Sequence, residues 1–348
     1  MKNNRFVFLD GIRGIASLFV LTRHTNSFWN LEIHRCYLAV DIFFILSGYV
    51  IAHAYDKKII TKSIEKKDFI LIRLIRLYPV FLLSLVGCIA VLIQTGTAFD
   101  SENIKNTFAV IALTSIFIPL HFHGEKALFP LNGPYWSLFY ELVGNLIYVI
   151  IRPVLTNIIL LLIVVISGVL LAIVSYAHQN LDAGFFFSTK SFIAGFTRSI
   201  FGIFAGILLH RHHELLQKSF LKNISPWVSI FIVTITLLIP NANHFNWIID
   251  LGVVIFIYPI CVIIGSNNAA TRFEWFLLAL GSASYPIYVL HKPFGDFISN
   301  LVHENERLYS PYSGILLTII LILTSMLIEK YYDIPLRKKI NQIRLKYK

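Results

Sequence analysis

Long apolar stretches separated by short polar segments make up almost the whole chain. Eleven such runs occupy residues 6–28, 36–55, 74–95, 105–121, 135–151, 154–177, 191–210, 225–240, 247–265, 275–299 and 311–331. A helix needs about 20 apolar residues to cross the ~30 Å hydrocarbon core of a bilayer, and most of the runs come close to that length. The pattern therefore predicts an all-α polytopic membrane protein.

Composition agrees with this pattern. Of the 348 residues, 56% are hydrophobic and 14% are charged, and the mean hydropathy is +0.70, which excludes an ordinary soluble domain. Asp10, Arg13 and Arg23 interrupt the first run where a signal peptide would be uninterrupted, so we expect this run to remain as a span. The cysteines lie in or beside separate runs without metal-site spacing and are expected to be small apolar residues: Cys36, Cys88 and Cys261.

The basic residues collect between the apolar runs and at the C-terminus. The formal net charge is +11, but its placement is typical of cytoplasmic loops, so a nucleic-acid partner is not expected. The segments predicted to be cytoplasmic are 57–76, the surroundings of Arg152, 210–222, Arg272 and the tail 332–348.

Eleven complete crossings cannot place all these segments on one side. If the short run around 107–119 is re-entrant or half-spanning, about ten transmembrane helices remain and every basic segment falls inside. We therefore predict one integral-membrane domain over 1–348 in the inner or plasma membrane, with both termini cytoplasmic.

The first apolar run carries a polar stripe. At ~100° per residue, Asp10, Arg13, Gly14, Ser17 and His24 fall on one helix face, with Arg13 and His24 roughly 16 Å apart along the axis. Ionisable groups at membrane depth are costly and usually functional. In the alternative interpretation, Asp10 and Arg13 only neutralise each other and His24 lies at the outer interface.

The third run begins with R-L-I-R-L-Y-P, which places Arg73 and Arg76 one helical turn apart after a lysine-rich approach. Two guanidinium groups at this spacing can bind phosphate groups of a cytosolic nucleotide-like ligand. Basic residues at the inner end of a span also anchor it to anionic lipids, and the sequence leaves both interpretations open.

The segment P-Y-W-S-L-F-Y-E opens the fifth run with Trp136, Ser137 and Glu141. By the predicted topology this helix starts at the outer face, where His24 also ends, so Glu141 and His24 could form an acid/base pair. The aromatic residues here are equally consistent with an interfacial belt.

The tenth run, S-Y-P-I-Y-V-L-H, forms a second polar stripe with Ser284, Tyr288 and His291, beside Tyr285. These groups either line a site or bind helices together through their hydroxyls. Other histidines lie at or beyond the ends of runs without nearby acids or thiols, so no metal site is expected there: His121, His123, His210, His212 and His213.

Buried Arg, His, Glu and Asp side chains fit two classes of protein. One is an enzyme that uses a polyanionic donor, and the other is a proton-coupled transporter of an anionic metabolite. The lysine-rich approach to Arg73 and Arg76 favours the enzyme.

Six motifs together resemble one family. Arg13 and His24 within L-D-G-I-R-G-I-A, V-D-I-F-F-I-L-S-G-Y, R-L-I-R-L-Y-P, W-S-L-x-x-E, S-Y-x-x-Y-x-x-H and Y-D-I-P-L-R occur in this order over residues 5–338. In this the chain is similar to the acyltransferase-3 family, membrane enzymes that O-acylate cell-surface carbohydrates. It departs from the family's pattern at Leu142, where a second acidic residue is frequent, and at Asp333 in the last motif.

The resemblance implies transfer of an acetyl group from cytosolic acetyl-CoA, as donor substrate and not as a permanently bound cofactor, to a glycan hydroxyl. It implies that Arg13 and His24 are essential and that Arg73 and Arg76 contact CoA. From the acid/base pairing above we also expect Glu141 to be catalytic, and Arg13 to take part in binding the donor. The resemblance also implies a set of residues lining the central cavity: Asp10, Trp136, Ser137, Ser284, Tyr285, Tyr288 and His291. Some relatives carry an extracytoplasmic SGNH-type domain, which this sequence lacks, so direct delivery or a separate acyl-accepting protein is expected.

Overall fold

A computed structural model describes residues 6–31, 33–96, 104–120, 126–218, 220–267, 271–303 and 305–346. These residues form a helical bundle, and no β-strand occurs within the described ranges apart from an isolated bridge between Ala127 and Phe186. Each of the eleven predicted apolar runs contains a helix. The helices are α1 Val7–His24, α2 Asn26–Trp29, α3 Ala39–Ile60, α4 Lys66–Gln94, α5 Ile104–Ser115, α6 Tyr135–Ile151, α7 Asn157–His178, α8 Thr189–Arg211, α9 His213–Leu216, α10 Trp227–Leu238, α11 Asn246–Gly252, α12 Tyr258–Gly265, α13 Glu274–Leu301, α14 Tyr312–Ile328 and α15 Ile334–Lys346.

The all-α polytopic prediction is confirmed. Seven stretches of the described chain are long and apolar enough to cross a membrane: Cys36–Ile60, Lys66–Gln94, Tyr135–Val154, Asn157–His178, Thr189–Arg211, Asn243–Gly265 and Tyr312–Leu345. Polar side chains keep α1 and α13 out of this group. A total of about ten crossings therefore stays a prediction.

Helix α5 is the short element that the charge pattern singled out. Its 12 residues span about 18 Å at 1.5 Å per residue, which is less than the ~30 Å hydrocarbon core. That length favours a half-spanning segment, as proposed for this run.

The centre of the bundle depends on close backbone approaches. Helices α3 and α8 meet at Gly48, where a Cβ would lie 1.9 Å from the carbonyl oxygen of Ile203. Helices α1 and α13 meet at Gly281, where a Cβ would lie 2.5 Å from the Cβ of Asp10. Such small residues let membrane helices pack tightly, and the second contact brings the polar stripes of α1 and α13 together.

Buried ion pairs connect the central helices. Arg198 of α8 donates to Asp41 of α3 at 2.7 and 3.0 Å and to the carbonyl oxygen of Ala183 at 2.6 Å. Arg35 pairs with Asp250, which also accepts from the Tyr37 hydroxyl at 2.8 Å. Each of these buried charges is thus paired with an opposite charge, as burial in a low dielectric requires.

Candidate active site

A cavity of about 420 Å³ opens between α1, α3, α4, α6 and α13. We call the side of the bundle on which α1 begins the N side, and the side on which α1 ends the far side. The polar groups that line this central cavity are Asp10, Arg13, Ser47, His53, Tyr55, Arg73, Arg76, Ser137, Glu141, Ser284, Tyr285 and Tyr288. Nine of the twelve residues proposed from the sequence therefore share one space.

Arg73 and Glu141 form the strongest polar contact in the cavity. Arg73 Nη2 donates to Glu141 Oε1 at 2.6 Å, and the Ser47 hydroxyl donates to the same oxygen at 2.6 Å. The side chains of Arg73 and Glu141 are 10% and 19% exposed, so the pair is largely desolvated. Ser47 was not identified from the sequence, although it lies within the V-D-I-F-F-I-L-S-G-Y motif.

Arg13 and Arg76 bring further positive charge to the cavity. Arg13 Nη1 lies 3.9 Å from Asp10 Oδ1, one turn earlier on α1. Three arginines and two carboxylates line the cavity, so its formal charge is 3 − 2 = +1. A site with this balance attracts an anionic ligand.

The hydroxyl groups of the cavity differ in the groups to which they are hydrogen-bonded. The Tyr285 hydroxyl donates to the carbonyl oxygen of Leu77 at 2.6 Å, and the Ser284 hydroxyl donates to that of Gly281 at 2.6 Å. Tyr288 and Ser137 bond to each other at 2.5 Å, between α13 and α6, and both also lie 3.2 Å from the carbonyl oxygen of Pro134. Tyr288 is thus bonded to a second hydroxyl, and its contact with a backbone oxygen is longer than those of Tyr285 and Ser284.

His24 lies beyond the cavity, at the far end of α1. Its ring centroid is 5.2 Å from that of His291, one turn after Tyr288 on α13. His291 is fully buried. Its Nδ1 lies 3.0 Å from the carbonyl oxygen of Ile287, and its Nε2 has no partner among the described residues.

The structure does not bring together all the residues proposed for the site. Glu141 contacts Arg73 and Ser47, so it does not orient His24. Trp136 and His291 do not line the cavity. The indole of Trp136 packs under the guanidinium of Arg198, 5.1 Å from the ring centroid, and so supports the α3–α8 ion pair.

A histidine cluster that the sequence did not connect borders the N side of the cavity. His53 lines the cavity, and its Nδ1 lies 3.3 Å from Nε2 of His210. The Tyr49 hydroxyl lies 2.9 Å from Nδ1 of His213. Burial lowers the pKa of His213 below its usual value, so its neutral ring can accept this hydrogen bond.

Metal binding has no support in the described part of the chain. There, no three His, Cys, Asp or Glu side chains come close enough to hold an ion. His121 and His123 lie outside the described residues.

Comparison with known proteins agrees with the motifs. The family described as Acyltransferase domain matches residues 6–329. Protein 2 in the picA locus of Rhizobium radiobacter is 40% identical over 156 residues, which cover 41% of this chain and 81% of that protein. O-acetyltransferase OatA of Staphylococcus aureus (strain NCTC 8325 / PS 47) is 24% identical over 354 residues, covering 95% of this chain.

The chain spans 57% of the length of that staphylococcal relative. No solved structure matches the chain. The family match extends over nearly the whole helical bundle and includes every residue of the central cavity. The chain therefore belongs to the acyltransferase-3 family of integral membrane proteins.

Proposed function

We propose that this protein transfers an acyl group, acetyl in the simplest case, from cytosolic acyl-CoA to a hydroxyl of a cell-surface or lipid-linked glycan. O-antigen, capsule and exopolysaccharide are the acceptor types that this chemistry fits. The observation that carries the proposal is the convergence of Arg13, Arg73 and Arg76 on one cavity that also reaches the hydroxyl groups of α13. The acetyl group is favoured by the activity of the staphylococcal relative, an O-acetyltransferase.

The donor side of the proposal rests on charge. The end of α3, the loop after it and the start of α4, on the N side, carry the lysine-rich approach: Lys57, Lys58, Lys62, Lys66 and Lys67. Arg76 is exposed where it borders the cavity, whereas Arg73 is buried. A polyanionic nucleotide would meet the lysines first and the arginines next. A small anion carried by a transporter would not need so extended an approach.

The donor molecule must span the distance between Arg13 and His24. Eleven residues of α1 separate them, or roughly 16 Å along the axis. A flexible cofactor arm can cover this distance, whereas no side chain can. The phosphates would stay near Arg73 and Arg76 while the thioester approaches Tyr288 and the histidine pair.

The chemistry then needs one base and one hydrogen-bond donor. As the sugar oxygen attacks the thioester carbonyl, His24 accepts the hydroxyl proton, the carbon–sulfur bond breaks and CoA leaves as the thiolate. Tyr288 can donate to the developing oxyanion. Transfer through an acylated His24 is the second route. In either route, the acyl group passes to the glycan directly or to a separate extracytoplasmic protein.

The test compares donor binding with turnover in reconstituted protein. We expect CoA to raise the midpoint of thermal unfolding of the wild type, and acetyl-CoA to release thiol when an acceptor is present. His24→Ala keeps the CoA-induced shift and loses thiol release, since the base is on the far side.

Arg76→Gln weakens the CoA-induced shift, and Arg272→Gln, on a loop away from the cavity, serves as the matched control. If CoA neither shifts unfolding nor releases thiol, the donor assignment fails. Solute flux driven by a pH gradient then becomes the measurement of choice. Retained thiol release in His24→Ala would remove His24 from the mechanism.

A further inference from the structure

A second cavity lies at the far side of the bundle, between α13 and α14. Its volume is about 420 Å³, and we call it the far-side pocket. The walls are almost entirely apolar: Phe28, Phe294, Ile298, Val302, Tyr309, Tyr312, Leu316, Leu317 and Ile320. From Tyr312 to Ile320 it follows α14 for about 12 Å, so its shape suits a hydrocarbon chain.

One acidic residue interrupts this apolar surface. Glu306 lines the pocket and is 4% exposed. The Ser299 hydroxyl donates to its Oε1 at 2.7 Å, while Oε2 has no partner among the described residues. A buried carboxylate oxygen without a donor is unfavourable, so the pocket is complementary to a ligand that brings a hydrogen-bond donor.

The pocket borders the histidine pair. Phe28 follows His24 by four residues, and Phe294 follows His291 by three. The Ser313 hydroxyl donates to the carbonyl oxygens of Phe28 and Glu306, both at 2.9 Å. The rim of the pocket is thereby tied to the chain segment that leaves His24.

Apolar side chains near the pocket are exposed on the outside of the bundle. Leu308 and Tyr312 at the pocket rim are each 77% exposed, as expected for side chains in contact with a bilayer and its interface. A molecule can enter this pocket sideways from the membrane.

We propose that the far-side pocket holds the hydrocarbon anchor of the acyl acceptor, a glycolipid whose sugar hydroxyl donates to Glu306. This inference rests on the proposed function and names the acceptor class for it. Sugar hydroxyls supply the donor that Oε2 lacks, and an anionic head group at the same position would be repelled. The sugar would then be held beside His24, on the side opposite the donor cavity.

Binding can be tested without any acyl transfer. The protein in nanodiscs is labelled with a photoreactive alkyl glucoside, and an alkyl glucoside and an alkyl phosphocholine of equal chain length compete with it. We expect labelling in the α14 segment, with the glucoside competing about tenfold better, as one hydrogen bond to a charged group would give.

Two adjacent isoleucines provide matched variants. Ile320 is 40% exposed and lines the pocket, whereas Ile319 is 49% exposed and does not. Ile320→Trp fills the pocket and lowers labelling several-fold, while Ile319→Trp leaves it unchanged.

Glu306→Gln retains the acceptor for Ser299 and converts the open oxygen into a donor nitrogen, so it removes the preference for the glucoside. Equal competition by both lipids in the wild type, or labelling insensitive to Ile320→Trp, would overturn the proposal. Because labelling does not depend on CoA, these results are independent of whether the proposed donor is correct.

Discussion

The Arg73–Glu141 pair predicts a non-additive response to mutation. Removing either partner leaves a buried charge without its counter-ion, which typically costs about 3–5 kcal/mol. Replacing both by apolar residues of similar size removes both charges at once, and such replacements are often neutral or stabilising. We therefore expect Arg73→Met and Glu141→Leu each to destabilise the protein by about 3–5 kcal/mol, and the double variant to lie within about 1 kcal/mol of the wild type.

The expected loss of stability depends on how exposed the paired side chains are to solvent. Lys292 and Asp296 of α13 form an ion pair with an N–O distance of 2.7 Å, similar to the 2.6 Å between Arg73 and Glu141. The side chains of Lys292 and Asp296 are 32% and 39% exposed, whereas those of Arg73 and Glu141 are 10% and 19% exposed. Solvent screening reduces an exposed pair to about 0.2–1 kcal/mol. Lys292→Met is therefore the matched control, with an expected loss below about 1 kcal/mol.

The measurement is the free energy of unfolding in mixed micelles, together with the CoA-induced shift, for the wild type and the four variants. The CoA-induced shift should be absent from all variants that lack Arg73, including the stable double variant. The second substitution restores stability, but it does not restore the guanidinium group that binds the donor. If Arg73→Met costs no more than Lys292→Met, the pair is solvated and the reasoning is refuted. A double variant as unstable as the sum of the single ones would refute it equally.

Two further predictions follow from single contacts. Tyr288→Phe should lower the rate of transfer by about 10²-fold or more, as loss of an oxyanion donor does. Tyr285→Phe should lower it less, because the Tyr285 hydroxyl proton is bonded to the carbonyl oxygen of Leu77. Steady-state kinetics would distinguish the two variants, with the KM for the donor unchanged. Gly48→Ala should destabilise the α3–α8 contact by about 1–3 kcal/mol, and Gly252→Ala, which would meet nothing within 4 Å, should be neutral or slightly stabilising in the same unfolding assay.

The helices could be predicted from the sequence because apolar periodicity and bilayer thickness determine them locally. Each apolar run contains a helix, and the polar stripes of α1 and α13 do face a common space. Periodicity gives the face of a helix on which a residue lies, but not the partner helix. Arg73 and Glu141 are 68 residues apart, and nothing local in either motif indicates that they meet.

Depth explains why Glu141 and His24 were wrongly paired. Helix α1 ends on the far side and α6 begins there, but His24 is the last residue of α1, while Glu141 lies six residues into α6, or about 9 Å from the start of that helix. At that depth Glu141 can reach only the middle of α3, where Ser47 lies, and the part of α4 nearer the N side, where Arg73 lies. Counting residues from the far-side end of α6 would have separated Glu141 from His24, but it would not have identified His291, which lies ten residues before the end of α13.

Helix α13 connects the parts of the site in order of depth. Gly281 packs against Asp10, Tyr288 closes the cavity with Ser137, His291 meets His24, and Phe294 lines the far-side pocket. Thirteen residues separate the first contact from the last, or about 20 Å. The central cavity and the far-side pocket, proposed here for the donor and the acceptor, thus lie at different depths along one helix, with the Tyr288 hydroxyl and the histidine pair between them. An acyl group that travels from one to the other would pass this point, where the Tyr288 hydroxyl at the wall of the central cavity and the imidazoles of His24 and His291 beyond it would supply the oxyanion donor and the base of the proposed transfer.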